Sequence, residues 1–350
     1  MTVSIRLEFR AVILSIFRLL ARLTLTLLLA MSGAHAQTAA GSFAPVKLRI
    51  GYQKSSTLIT ILKARGSLEQ ALAPLGVSIT WNEFASGLPL TEALNADAVD
   101  FSADVADTVP VFAQAAHARF VYVAQEAPSP GAQAIIVKRD GPLHKLADLK
   151  GQRIAVTKAA GSHYLLLAAL AKAGLVPADV RISYLAPADG RAAFERGSVD
   201  AWVTWDPYVA SVDKAPEVRI LANGDGLASY QRYYLASSSF AAAHPDVINA
   251  MFAQLKSAGE WVRAHPDDAA KLLAPIWGLD VETIERANAR RSYAVRALDA
   301  QNFGEQQKIA DTFYRAGLLP APVDTATAFR WNFTTKRAEA AGTSTTASGG

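Results

Sequence analysis

Polar side chains that could bind an anion or exchange a proton follow four strand-like runs of the chain. The first group precedes an apolar helical stretch and consists of Gln53, Ser55, Ser56 and Thr57. Serine and threonine at a helix start cap its free N–H groups. The same N–H groups, together with the helix dipole, can also receive an anion. Both interpretations stay open here: capping alone, or contact with a bound anion.

The same arrangement recurs where a small-residue loop leads into a helix at Gly161, Ser162 and His163. Glycine lets the backbone approach a ligand closely, and Ser162 offers a hydroxyl and a helix-start N–H. The nucleotide-binding spacing Gly-x-x-x-x-Gly-Lys-Ser/Thr is absent from the sequence. His163 could act as a base, but no Ser/His/Asp order supports this. A histidine on the surface or behind the site is the other interpretation.

The third strand end carries Asp104, Asp107 and Thr108. Its two carboxylates could serve as acid and base or as metal ligands. Asp107 stands where a helix N-cap is expected, whereas Asp104 is expected at the mouth of a cleft.

The fourth strand end is Trp205-Asp206-Pro207. A tryptophan with an apolar face and one N–H donor suits an organic molecule with a polar head. Packing in the core is the alternative for Trp205, and helix capping is the alternative for Asp206. The sequence has no cysteine, no His pair at i, i+4 and no Gly-x-Ser-x-Gly motif. This set of residues indicates binding and not turnover, with no metal and no cofactor.

Short strands alternating with helices must position these groups, which predicts an α/β fold with parallel sheets. The stretch Phe84–Asp100 aligns without gaps on Tyr184–Asp200, and both end in Val-Asp. This echo, which sets Asp104 opposite Thr204, predicts two lobes of similar build. Because open α/β sheets place ligands beyond the carboxyl ends of their strands, two facing lobes would enclose a cleft.

The charge and hydropathy of the chain indicate the character of its two ends and of the part between them. The formal charge is +4, of which +3 lies in a basic and apolar segment over residues 1–36. This segment is typical of a signal peptide cleaved near Ala36, and it predicts export to the periplasm. The near-neutral remainder has no electrostatic reason to bind nucleic acid. Residues 337–350 are predicted to be a disordered tail.

Two motifs carry a resemblance to a known family: Arg49-Ile-Gly-Tyr-Gln-Lys-Ser-Ser-Thr-Leu58 and Asp200-Ala-Trp-Val-Thr-Trp-Asp-Pro-Tyr208. The chain resembles the aliphatic sulfonate-binding proteins of ABC importers from about Val46 to about Pro320. The resemblance implies a type II periplasmic binding protein fold, with lobe 1 over residues 46–130 and 240–320 and lobe 2 over 131–239. It also implies a monomer that delivers its solute to an ABC permease with a separate ATPase subunit.

The resemblance does not identify which solute the protein binds. Relatives recognise sulfonates, taurine, nitrate or pyrimidine thiamine precursors, and a periplasmic ligand-sensing domain is a further alternative. We expect helix-start N–H groups and hydroxyls to hold the anion without a counter-cation. A carboxylate near a sulfonate pocket would repel the anion unless it served an amine. Asp104 or Asp107 therefore motivates the hypothesis of an aminosulfonate such as taurine.

Overall fold

The protein is described here by a computed structural model that covers residues 45–298 and 303–333. The predicted signal peptide (1–36) and the predicted tail (337–350) lie outside the described residues. Within those residues, no helix combines the length and the apolar character needed to cross a membrane.

A first sheet begins with an alternation of strands and helices. The elements are β1 (Val46–Gln53), α1 (Thr57–Arg65), α2 (Ser67–Leu72), β2 (Val77–Phe84), α3 (Gly87–Asn95), β3 (Phe101–Ala106), α4 (Thr108–Ala115) and β4 (Phe120–Glu126). Strand β1 lies in the middle of a parallel trio with β2 and β3. The apolar helical stretch after Thr57 forms two helices, because Gly66 adopts a left-handed φ of 62° and ends α1.

A second sheet repeats this alternation. Its elements are β5 (Gln133–Lys138), β6 (Arg153–Val156), α5 (Gly161–Lys172), β7 (Arg181–Tyr184), α6 (Pro187–Glu195), β8 (Ala201–Trp205) and β9 (Val218–Asn223). The strand order is β7-β6-β8-β5-β9, with β6 parallel to β7 and β8 and with β5 antiparallel to its neighbours. The predicted α/β architecture with two lobes is confirmed.

The chain then returns to the first sheet. The remaining elements are β10 (Arg232–Ser237), α7 (Ser238–Ala243), α8 (Pro245–Ala264), α9 (Pro266–Trp277), α10 (Val281–Ala289), β11 (Val295–Arg296) and α11 (Phe303–Arg315). The first sheet has the order β11-β4-β10-β3-β1-β2, with β10 antiparallel to β3 and β4. Residues 232–237, predicted for lobe 2, therefore belong to the first sheet.

The last described helix also differs in its placement from the predicted division. Residues 303–315 were expected in lobe 1, but α11 contacts both lobes: Phe313 packs against Phe112 of α4 and, with Ile309, in a core that includes Leu166 of α5. The sequence pattern could not reveal this, because an amphipathic helix fits the apolar face of either sheet.

The internal sequence similarity corresponds to the same aspartate–arginine contact in both lobes. Asp100 accepts hydrogen bonds from the backbone N–H of Arg49 (2.8 Å) and from its guanidinium, and Asp200 accepts the equivalent bonds from Arg153 (2.9 Å at the backbone). Each aspartate precedes the third strand of its parallel trio and each arginine lies in the middle strand. The predicted similarity of build therefore holds in three dimensions.

Candidate functional site

A small cavity lies between the two sheets, where the carboxyl ends of their strands face each other. It is lined from the first lobe by Gln53, Gly87, Ala106 and Val109, from the second by Ala160, Gly161 and Trp205, and also by Tyr230 and Arg232. Its free volume is about 10 Å³, which is room for one water molecule. The lobes are therefore closed on each other in this structure.

Two hydrogen bonds join the lobes beside this cavity. The Trp205 Nε1–H group donates to Ser55 Oγ at 3.3 Å, and the Thr108 hydroxyl donates to the Ala159 carbonyl at 2.6 Å. Ala159 itself has a left-handed φ of 60°, which aims its carbonyl across the interface. Ser55 and Thr108, both predicted as ligand contacts, act in the closed structure as contacts between the lobes.

Of the predicted site residues, Gln53, Gly161 and Trp205 line the cavity itself. Gln53 and Gly161, one from each of the segments 53–57 and 161–163, therefore lie at one cavity. Trp205 is 4 % exposed and presents its indole ring to the cavity wall.

Ser56 and Thr57 do not cap helix α1 with their side chains. Ser56 occupies the N-cap position, but its hydroxyl accepts from the backbone N–H of Gln53 at 3.1 Å. The Thr57 hydroxyl bonds to the Tyr293 hydroxyl and to the Arg291 guanidinium, both at 3.1 Å. The interpretation of these residues as simple caps is wrong, because both hydroxyls have other partners.

The segment 161–163 has a more specific role than its sequence suggests. A Cβ atom at Gly161 would lie 2.5 Å from the ring of Tyr230, so glycine is required by this close contact. The Ser162 hydroxyl is buried and has no hydrogen-bond partner among the described residues. Ser162 thus brings an uncommitted hydroxyl to the helix start beside the cavity.

His163 is neither a surface residue nor an available base. Its ring is fully buried against Tyr184 and Phe313, and Nδ1 accepts from the Ala159 N–H at 3.3 Å. Burial, reinforced by Lys158, lowers the pKa of His163 to about 4. The neutral ring therefore supports the loop behind the cavity. Its position therefore agrees with a histidine behind the site and not with one on the surface.

The predicted acidic residues are committed to structural partners and do not line the cavity. Asp107 is the N-cap of α4, as predicted, and accepts from the N–H groups of Thr108 (3.0 Å) and Gln231 (2.9 Å). Asp206 accepts from the Ala210 N–H and from the Arg290 guanidinium, both at 2.9 Å. Burial raises the pKa of both carboxyls to about 7.

Asp104 lies at the centre of a buried network with Arg232, Arg291 and Glu126. Its Oδ2 atom pairs with Arg232 and, at 3.1 Å, with Arg291, which also pairs with Glu126 at 2.8 Å. Burial raises the pKa of Asp104, and the two arginines oppose this shift. Since no carboxylate lines the cavity, the reason for expecting a ligand ammonium group there is removed.

Arg232 lines the cavity and was not among the residues that the sequence pattern indicated. Its side chain is 3 % exposed and lines the cavity, and its Nη2 donates to the Tyr230 hydroxyl at 3.1 Å. Its Nε–H group has no partner among the described residues. The expectation of a cleft without a cation is therefore wrong. The available signal was an arginine inside a strand that is otherwise apolar and aromatic, because a buried charge requires partners.

Comparisons with known proteins identify relatives over most of the chain. A family model described as NMT1/THI5 like matches residues 74–269. The chain is 38 % identical over 286 residues to an Escherichia coli K12 protein assigned as an aliphatic sulfonates-binding protein, covering 81 % of this chain and 89 % of the relative.

Two solved structures are also similar over most of the chain. One is the alkanesulfonate-binding protein from Xanthomonas axonopodis pv. citri bound to MOPS, with 40 % identity, a TM-score of 0.75 and coverage of 79 % of this chain and 95 % of that chain. The other is the periplasmic aliphatic sulphonate binding protein from Escherichia coli, with 37 % identity, a TM-score of 0.74 and coverage of 82 % and 98 %.

Proposed function

Because this chain belongs to the NMT1/THI5-like family, we propose that it is a periplasmic binding protein that captures an aliphatic sulfonate between its lobes. The observation that carries the proposal is the cavity in which a buried arginine and a helix start converge between two aromatic rings. A sulfonate is ionised throughout the physiological pH range, so its recognition requires fixed donors and no protonation step.

Each wall of the cavity supplies one part of this recognition. The Nε–H group of Arg232, the amide of Gln53 and the N-terminus of α5 at Gly161 are the donors for the sulfonate oxygens. The rings of Trp205 and Tyr230 face the same space and would cover an uncharged alkyl tail. Taurine would bind more weakly than an alkanesulfonate of similar length, because its ammonium group would meet no carboxylate.

Capture requires the lobes to separate, since the closed cavity has room for only one water molecule. In this mechanism an open form admits the sulfonate, and the two lobes close on it. Ligand contacts from both lobes exist only after closure, so the ligand shifts the equilibrium towards the closed form. A permease with a separate ATPase subunit would then receive the sulfonate from the monomeric protein, which leaves the solute chemically unchanged.

Calorimetry on the mature protein, beginning after Ala36, tests this function. We expect saturable binding of butanesulfonate, weaker binding of taurine, and no comparable binding of nitrate or a pyrimidine. Arg232→Met removes a charged donor and should weaken butanesulfonate binding about 10- to 100-fold. Arg196→Met, which changes an exposed arginine outside the cavity, is the control.

Two results would contradict the proposal. Butanesulfonate affinity that is equal in Arg232→Met and the parent protein would remove the arginine from the site, provided that thermal unfolding shows both to be folded. Consumption of the sulfonate during incubation, followed by mass spectrometry of the solute, would indicate an enzyme and not a binding protein.

A further inference from the structure

We propose that the first lobe carries a second binding site, for an organic anion with an aromatic body, on the opposite side of β1 from the interlobe cavity. A cavity of about 370 Å³ opens there, within the size range of small-molecule sites. It is lined by Tyr52, Lys54, Thr60, Lys63, Glu83 and Trp277, with Ala64 and Ile276 at its edge. The inference does not depend on the sulfonate function.

The alternation of strand β1 separates this cavity from the interlobe cavity. Gln53 lines the interlobe cavity and Tyr52, its neighbour, lines the second one, because successive side chains of a strand point to opposite faces. Every lining residue belongs to the first lobe, on β1, α1, β2, α9 or the turn after β1. The site is therefore complete in one lobe, and occupancy does not require closure.

A fixed cation forms the recognition point of this second cavity. The Lys63 ammonium donates to the Tyr52 hydroxyl at 2.8 Å and lies 4.7 Å from the centre of the Tyr52 ring and 5.8 Å from that of Trp81. These contacts hold the ammonium in place, and a lysine ammonium has three donor hydrogens. Hydrogens remain for an anion beyond the one given to Tyr52.

Thr60 lines the same cavity beside Lys63. Its side chain is 4 % exposed, and its hydroxyl oxygen is buried and has no hydrogen-bond partner among the described residues. Lys63 and Thr60 lie three residues apart on α1, which places them on one face of that helix.

The remaining walls define the rest of the ligand. Ile276, which is 48 % exposed, and Trp277 form an apolar side at the end of α9. Two lysines against one glutamate give the lining a net positive charge. A carboxylate or sulfonate on a flat apolar body fits these walls, whereas a small inorganic anion would leave the apolar side unfilled.

Titration with 2-naphthoate, followed by calorimetry and by NMR, tests this assignment. We expect one saturable event that persists when butanesulfonate is present in excess, and no such event with the neutral 2-naphthalenemethanol. Lys63→Met should weaken naphthoate binding at least tenfold. Lys47→Met, which changes an exposed lysine on the same strand, should leave it unchanged.

The interlobe variant separates the two sites. Arg232→Met should leave naphthoate binding intact, and Lys63→Met should leave butanesulfonate binding intact, so failure of one proposal is visible independently of the other. Displacement of naphthoate by butanesulfonate would overturn the assignment. So would binding that survives Lys63→Met, or the absence of saturable binding below about 1 mM.

Discussion

Replacing Arg290 by methionine should weaken ligand capture, because this side chain ties the first lobe to the second. Arg290 follows α10, whose Ile284 packs in the core of the first lobe. Its guanidinium pairs with Asp206 at 2.9 Å and also with Asp213, both in the segment that follows β8 of the second lobe. The closed form therefore contains ion pairs that an open form would lack.

The burial of these groups sets the size of the effect. The side chains of Asp206 and Asp213 are 2 % and 7 % exposed, and that of Arg290 is 23 % exposed. Removing one partner of a fully buried pair costs about 3–5 kcal/mol. Water reaches Arg290 in part, and Arg286 continues to pair with Asp213 at 3.3 Å. We therefore expect a loss of about 2 kcal/mol, or about 30-fold in affinity.

Calorimetry with butanesulfonate and small-angle scattering without ligand measure this change. Arg290→Met should show lower affinity and a larger radius of gyration. Arg191→Met is the matched control, because Arg191 pairs with Glu195 on the same helix of one lobe and should cost less than about 1 kcal/mol. Unchanged affinity combined with a lower free energy of unfolding would refute the argument, since the pairs would then be independent of closure.

Three further changes test the site and its surroundings. Gly161→Ala forces a Cβ to within 2.5 Å of the Tyr230 ring and should abolish tight sulfonate binding, measured by calorimetry. Trp205→Phe removes the Nε1–H bond to Ser55 and should weaken sulfonate binding by up to about tenfold. Unchanged affinity would show that this hydrogen bond does not stabilise the closed form. In the folded protein the pKa of Asp107 is about 7, compared with an ordinary value of 3.8. Between about pH 4 and pH 7 the folded state therefore binds the proton more tightly than the unfolded state, and the free energy of unfolding falls as pH rises. Asp107→Asn should remove up to about 4 kcal/mol of this decline, measured as the free energy of urea unfolding at each pH. If the pH dependence of that free energy is the same in the variant and the parent protein, Asp107 does not cause the decline.

Much of the scaffold could be predicted because its signals are local. Strand periodicity, helix starts and the repeated Val-Asp motif indicated two α/β lobes whose strand ends share a cavity. Asp100 and Asp200 then proved equivalent, since each pairs with an arginine of the central strand in its own trio. Such patterns require only neighbouring residues, so one sequence is enough to read them.

The buried charged network around Asp104 could not be predicted, because its partners are distant in the sequence. Arg232 and Asp104 are 128 residues apart, and Arg291 and Asp104 are 187 apart. From the sequence, Asp104 suggested a contact for a ligand ammonium group, whereas folding supplies it with two arginines. Sequence position alone also left open whether Asp206 faces the ligand or has a structural partner, and its bond to Arg290 supplies such a partner 84 residues away.

The central position of β10 has a consequence for the order in which the protein can assemble. This strand separates β3 from β4, yet its residues 232–237 are synthesised only after all five strands of the second sheet. Until then the N-terminal half holds two sheet fragments with open edges, a form prone to mispairing. Because pairings between distant segments form slowly, a gene fragment that ends before residue 232 should yield no folded first lobe. The second sheet, whose strands lie within residues 133–223, is complete before β10 is synthesised.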